Sequence, residues 1–337
     1  MNERVYKVHE EALVVDTHCD TLKCMLPQFT MPRNSMWEDR SKTGLGVKTN
    51  IGHIDIPRLV EGGVNCQVFA ISSERDTTPA YPLRTALEMI EIFYSECESH
   101  SNIIKSAVCH EDIVRANNEG KVAAILSIEG ADVLEGRLRT LSVYHRLGVR
   151  IVGLVHSLRN LLADGVSERR SKGGLSQFGI EVVEELNKLG MVVDVSHLSD
   201  PGFWDVIEVS KDPPLASHSN ARSICDHPRN LSDEMIRAMS EKGGVVGINF
   251  APDFVHKNDP SVKTLVDHID RIVELVGPEH IGLGSDFDGI PSTPIGLEDV
   301  TKLPSITKEL LKRGYSEHDI KLILGENHLR LFKKVMG

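Results

Sequence analysis

Short runs rich in valine, isoleucine and leucine recur along this chain, each followed by a polar loop and then by a longer segment of helical period. Eight such runs are read: Leu13 to Thr17, Val64 to Ile71, Val122 to Ile128, Val149 to Val155, Met191 to Val195, Pro214 to Ser217, Gly244 to Phe250 and Ile281 to Ser285. VAAILSI and VRIVGLV are nearly continuous rather than alternating, which is the pattern of strands covered on both faces by helices. Strand and helix alternating eight times predict an α/β chain closed into a (β/α)8 barrel of TIM type. Apolar residues at helical spacing place helices over Pro82 to Ser99, Gln177 to Leu189, Asp233 to Lys242, Val262 to Val276, Ser305 to Arg313 and Ser316 to Leu324. The last of these opens on a serine suited to capping Asp319.

No internal repeat or linker divides the 337 residues, so a single barrel is expected over 1–337. The least regular stretch runs from Pro27 to Asn50, follows the first strand, and reads as a lid, a substrate-binding loop or an ordered surface loop. The acidic balance, 49 Asp and Glu against 38 Lys and Arg, repels phosphate backbones and anionic membranes, so neither nucleic acid nor membrane is expected as a partner. The opening MNERVYKVHEEA has no apolar signal core and no later run is long enough to span a bilayer, which predicts a cytoplasmic protein. Six cysteines without a CxxC pair read as small buried hydrophobes.

Barrel enzymes carry their chemistry at the C-terminal ends of the strands. Here six of the eight expected strands end on His, Asp or Glu: His18 and Asp20 after the first, Glu129 at the third, His156, His197 and His218 at the fourth to sixth, and Asp286 at the eighth. Surface placement gives no reason for such residues to converge on one end of one barrel, so we read a metal site. His18 and Asp20, two apart on extended chain, point the same way and can share a cation. Glu129 has two oxygens with which to bridge two cations, and His197 and His218 supply neutral nitrogens to the second. Three histidines and two carboxylates suit zinc, with manganese or cobalt as possible substitutes. Cys19 faces the other side of the strand and reads as structural. In GSDFDG, Asp286 is placed to move a proton between water and a leaving amine, while Asp288 and, elsewhere, Asp164 read as turn formers.

With these residues in view the chain resembles the membrane dipeptidase (renal dipeptidase) family, a branch of the metal-dependent amidohydrolase barrels. The resemblance runs almost end to end, through VVDTHCDTL, HIDIPRLVEGGVNCQVFAI, SIEGAD, LVHSLRN, GLSQFGIEVVEELNKLGMVVDVSH, ASHSNARSICDHPRN, GLGSDFDG and the closing GLEDVTKLPSITKELLKRGYSEHDIKLILGENHLRLF. It implies His18 and Asp20 as ligands of a first zinc, Glu129 as the bridge, and His197 and His218 as ligands of a second. It also implies Asp286 as proton carrier, His156 as donor near the substrate carbonyl, and Arg229 as partner of the substrate's terminal carboxylate. The last two roles come from the resemblance alone; spacing would make Arg229 a solvated loop charge. The activity implied is zinc-dependent hydrolysis of L,L- and L,D-dipeptides by a hydroxide shared between the metals, in a homodimer whose small-molecule substrate is the dipeptide. Rival readings are another binuclear hydrolase of the superfamily, deaminase or deoxyribonuclease-like, and a catalytically idle metal-binding barrel. The first kind commonly opens on HxH, where this chain has Asp20 in the third position, and the second has no use for Asp286.

Overall fold

The computed structural model describes residues 3–26, 42–72 and 82–337. Nine strands are found among them: β1 (Val14–Asp16), β2 (Val64–Ser72), β3 (Ile104–Ser106), β4 (Val122–Glu129), β5 (Val149–Gly153), β6 (Val192–Asp194), β7 (Leu215–Ala216), β8 (Val245–Ile248) and β9 (Ile281–Leu283). All pair in parallel, in the order β2-β1-β9-β8-β7-β6-β5-β4, and the additional pairing of β2 with β4 closes the ring. The eight expected strands thus form a (β/α)8 barrel. β3 was not among them. It pairs only with the first half of β4, from Ile104 opposite Val122 to Ser106 opposite Ala124, while β5 takes the second half. A three-residue IKS strand carries too little apolar sequence to register as a run.

The helices Pro82–Ser99, Gln177–Leu189 and Val262–Val276 have the expected bounds, and Asp233–Glu241 and Pro304–Lys312 differ by a residue at their ends. Side-chain caps fix several N-termini: Ser176 accepts from Gly179 N, Ser232 from Met235 N, and Ser316 from Asp319 N. The Ser316 helix is regular only over Glu317–Lys321, after which a π-turn, Leu322–Glu326, leads into the last helix, Asn327–Met336.

Two apolar clusters show how the barrel is filled. The larger joins one face of the strands to the inner faces of the surrounding helices. The smaller gathers the alternate residues, among them Val15, Val68, Ile125, Ile151, Val192 and Val245, which with period 2 lie on the other face, the barrel interior. Leu329 and Phe332 of the last helix belong to this interior cluster. That helix therefore seals the end of the barrel where the strands begin, and the open end is the one where they finish. Among the described residues, no helix is long and apolar enough to cross a membrane. All six cysteines are free, and Cys19 packs in the larger apolar cluster. Of the expected lid, residues 27–41 lie outside the described residues. Its described end is tied down by Leu45 N donating to Glu96 Oε2 at 2.9 Å and Thr49 N to Asp55 Oδ2 at 3.0 Å.

Candidate active site

Every residue singled out at a strand end is brought to one place, at the open end of the barrel. Glu129, the last residue of β4, is its centre. Its Oε1 lies 3.0 Å from Nε2 of His197, 3.4 Å from Nε2 of His18 and of His218, and 3.9 Å from Nε2 of His156. Asp20 Oδ2 is 3.4 Å from His18 Nε2. Three groups each have all their ligand atoms within 4.8 Å of one another: His18, Glu129 and His218; Glu129, His156 and His197; His18, Asp20 and Asp286. The imidazoles crowd face to face, with ring centroids 3.8 Å apart for His18 and His218 and 4.2 Å for His156 and His197.

Local backbone conformation aims these groups. His197 and Asp286 both sit in the left-handed region, at φ 69° and 63°, which β-carbon crowding disfavours for any residue but glycine. Such strain is sustained only where the surroundings over-determine it. Here they do. Val166 N donates to His197 O at 2.9 Å, and Asp286 N donates to His18 O at 3.2 Å. Gly289 has to be glycine because a β-carbon there would collide with the carboxylates of Asp20 and Asp286.

The electrostatics are those of a site built around positive charge. Burial alone would hold His18 neutral, yet Glu129, Asp20 and Asp286 outweigh it and push its pKa up to about 10. Glu129 is driven the other way: burial disfavours its charge, but His18 first and His156 after it hold it well below the usual carboxylate range. His197 and His218 are pushed well down, by burial first and then by neighbouring cations, and so are neutral imidazoles. Burial, with Asp20 and Glu129 adding, lifts Asp286 to about 7 against the pull of His18 and Asn249.

The donor set fits divalent cations. Nε2 of His18 and Oδ1 of Asp20 are buried with no hydrogen-bond partner among the described residues, a costly state that a cation displacing the His18 proton would relieve. Nε2 of His197 and Nε2 of His218 face each other at 2.9 Å. Two neutral nitrogens beside a carboxylate are the ligand set of a zinc-type ion. His18, Asp20, Glu129, His197 and His218 are positioned to hold such ions, with His156 at the margin.

A profile of the membrane dipeptidase family, peptidase family M19, matches residues 2–336. The chain belongs to that family. An uncharacterised dipeptidase of Schizosaccharomyces pombe is 34% identical over 98% of this chain and 82% of its own. Among solved structures, a metallopeptidase of the same family called dipeptidase AC superposes with a TM-score of 0.85 at 29% identity, covering 97% of this chain and 99% of that one. A metallopeptidase from Rhodobacter sphaeroides, liganded with a phosphinate mimic of the dipeptide L-Ala-D-Ala, has a TM-score of 0.84 at 27% identity, over 96% and 99% of the two chains. As a member of this family the protein is a metallo-dipeptidase acting on small peptides.

Arg229 is not the solvated charge that its loop suggests. It is 6% exposed, lines the same cavity of about 300 Å3 as Glu129, His197 and Asp286, donates to His218 O at 3.3 Å, and carries its guanidinium 5.6 Å from the centre of the Phe254 ring. His156 lines that cavity too. Asp288 differs from the expectation of a self-capped turn. Its carboxylate accepts from Thr21 Oγ1 and from His53 N, both at 2.6 Å, and so ties the β9 loop to the β1 loop. Asp164 likewise does not close its own turn but clasps Arg159 and Ser171 across a loop.

Four residues of the site escaped the sequence reading. Asn249, just past β8, donates to Asp286 Oδ2 at 3.0 Å and to His218 O at 3.4 Å. It stands at the end of the seventh expected strand, where the rule that found the others would have found it, but a neutral amide is not a metal ligand. Asp194, closing β6, accepts from Ser196 N and Ser217 N at 2.9 Å each. Asp16, closing β1, accepts from Ser285 N at 2.8 Å and Ser285 Oγ at 2.6 Å. These two carboxylates stitch neighbouring strand ends together beneath the ligands. Lys23, three residues past Asp20, lines the cavity.

Proposed function

We propose that this protein hydrolyses L,L- and L,D-dipeptides as a zinc enzyme of the membrane-dipeptidase type, with two ions held by His18, Asp20, Glu129, His197 and His218. The observation that carries the reading is the place of Glu129, whose Oε1 is within 3.4 Å of three imidazole nitrogens on three different strand ends. Two divalent cations there supply Lewis acidity toward a peptide carbonyl and a water activated near neutral pH.

The chain's own groups do the rest. Asp286, with Oδ2 held by Asn249, keeps its other carboxylate oxygen for a proton taken from water and returned to the departing amine. A carboxyl lifted by burial is suited to both halves of that exchange. His156, partly exposed on the cavity wall, donates a hydrogen bond to the scissile carbonyl oxygen as charge develops on it. Arg229 grips the terminal carboxylate of the substrate with parallel charge-assisted hydrogen bonds, which sets the distance from the free C-terminus to the bond that breaks. A cavity of about 300 Å3 suits a dipeptide better than a longer chain. The ligand of the Rhodobacter sphaeroides relative supports the acceptance of a D-configured second residue.

Zinc-loaded protein assayed against L-Ala-L-Ala, L-Ala-D-Ala and tri-alanine tests the reading. Both dipeptides are expected to be cleaved and the tripeptide barely, with activity lost to a chelator and restored by zinc. Equal turnover of the tripeptide, or none of either dipeptide, would overturn it.

A further inference from the structure

One hydroxyl of the cavity wall has no part in the chemistry above. Ser157 follows His156 in the loop after β5, lines the cavity, and brings its Oγ to 3.4 Å from Nδ1 of His197, which stands just past β6. Backbone contacts fix the two residues against each other. Ser167 N donates to Ser157 O and Val166 N to His197 O, each at 2.9 Å, so one short segment holds both. Gly165 lets that segment come close, because a β-carbon there would strike the carbonyl oxygens of His156 and Ser157.

The buried ring of His197 presents Nε2 to Glu129 Oε1 at 3.0 Å. A neutral imidazole that serves as a ligand through Nε2 carries its hydrogen on Nδ1, and a buried N–H left without an acceptor is costly. Among the described residues, Ser157 Oγ is the only polar contact of that nitrogen. The contact is long, but it sets the direction of the hydroxyl. Ser157 has to accept from the ring, so its single hydrogen is turned elsewhere. Ser217, which stands to His218 as Ser157 stands to His197, gives its hydrogen to the Asp194 carboxylate. Ser157 has no such acceptor: among the described residues its hydroxyl makes no hydrogen bond but the one with His197. The hydrogen is left for the cavity that the residue lines.

We propose that Ser157 is a positioning residue for His197, fixing the tautomer that frees Nε2, and that the same hydroxyl then donates a hydrogen bond to a carbonyl or carboxylate oxygen of the bound dipeptide. One side chain thereby links the ligand ring to the substrate. The second half rests on the dipeptidase reading above and the first does not, so two measurements separate them. Ser157→Thr and Ser157→Val have nearly one shape and differ in the hydroxyl. In competition with a chromogenic chelator, which needs no turnover, Ser157→Val should bind zinc about 10- to 100-fold more weakly than Ser157→Thr, with equal melting temperatures for the two metal-free proteins. Equal zinc affinities would overturn the proposal. At saturating zinc, kcat/KM for L-Ala-L-Ala should be about 5-fold or more lower in Ser157→Val than in Ser157→Thr, the usual worth of a hydrogen bond. A loss carried by KM marks the terminal carboxylate as the acceptor, and one carried by kcat marks the scissile carbonyl. Equal kcat/KM would overturn the donor role. Failure of the wild type to cleave the dipeptide removes the dipeptidase reading, and the zinc comparison still decides whether Ser157 holds the ring. Should the β-branched variants not fold, Ser157→Ala against the wild type makes both comparisons.

Discussion

Ser217 Oγ lies 2.7 Å from Nδ1 of His218 and donates its single hydrogen to Asp194 Oδ2 at 2.5 Å. A hydroxyl that has given its proton to a carboxylate can only accept from the ring, so His218 carries its hydrogen on Nδ1 and turns the lone pair of Nε2 toward Glu129. Asp194, Ser217 and His218 thus fix the tautomer that a metal ligand needs, on a ring that burial keeps neutral. Ser217→Ala should weaken metal binding by about 10- to 100-fold, the usual effect of losing such a partner, with the fold intact. Competition with a chromogenic chelator reads this directly. An unchanged affinity would mean that packing against His18, not the hydroxyl, orients the ring.

Metal content follows from the same geometry. Five ligands on four strand ends complete two sites only by sharing Glu129, so purified protein loaded with zinc should hold about two ions per chain. Glu129→Gln should lower occupancy of both, whereas His197→Ala should empty mainly the second. Elemental analysis decides: a ratio near one that added zinc cannot raise would refute the shared carboxylate.

The two aspartates of GSDFDG should separate cleanly. Asp286→Asn keeps the shape and the contact with Asn249 but cannot take a proton, so turnover should fall by roughly 10²- to 10⁴-fold with metal content nearly unchanged. Asp288→Asn instead weakens the tie between Thr21 and His53, and its first effect should be a lower melting temperature. The reverse ranking in rate would assign the proton to Asp288.

The barrel and the convergence of its strand-end residues were legible for one physical reason: parallel strands buried on both faces are written as unbroken apolar runs, and a barrel displays whatever follows each run at a single mouth. His18, Asp20, Glu129, His197 and His218 needed no more than that. Arg229 was legible only by resemblance, because its loop, HPRN, has no periodicity and its burial depends on Phe254 and on the carbonyl of His218, distant in the chain. Asn249, Asp194 and Asp16 work through hydrogen bonds between strand ends, and sequence does not say which ends are neighbours. Lys23 reads as the ordinary polar face of a helix until the cavity is seen.

His328 makes stability depend on pH away from the metals. The ring is wholly buried against β9, where a β-carbon on Gly282 would strike it, and burial pushes its pKa from 6.5 down to about 3. Between these values the unfolded chain binds a proton that the folded chain refuses. Stability therefore falls as pH drops below 6.5, by up to about 1.4 kcal/mol per pH unit until about 3, and this group contributes no pH dependence above 6.5. His9 and His268, also lowered by burial, add in the same sense. Urea unfolding of the zinc-loaded protein between pH 7.5 and 5 should show the decline, and His328→Leu should remove about one proton's worth of its slope. An identical slope in the variant would place the titration elsewhere.

The C-terminal carboxylate of the substrate provides the sharpest test of Arg229. Burial disfavours the charge of this guanidinium, while Asp286, Glu129 and Asp194 favour it, so the free site already holds a desolvated cation whose hydrogen-bonding capacity is not used up by the 3.3 Å contact to His218 O. A ligand carboxylate meets it without the desolvation that a surface arginine would first require. Wild-type protein should therefore prefer a dipeptide with a free C-terminus to its amide. Arg229→Ala should erase that preference rather than abolish hydrolysis, since the contact is worth about 1.5 to 3 kcal/mol, or roughly 10- to 150-fold. Because the same substitution also leaves Phe254 without its cation, the comparison has to be the ratio of kcat/KM between acid and amide in each protein, from which a general loss of activity cancels. A ratio that stays as high in Arg229→Ala as in the wild type would show that another group reads the carboxylate.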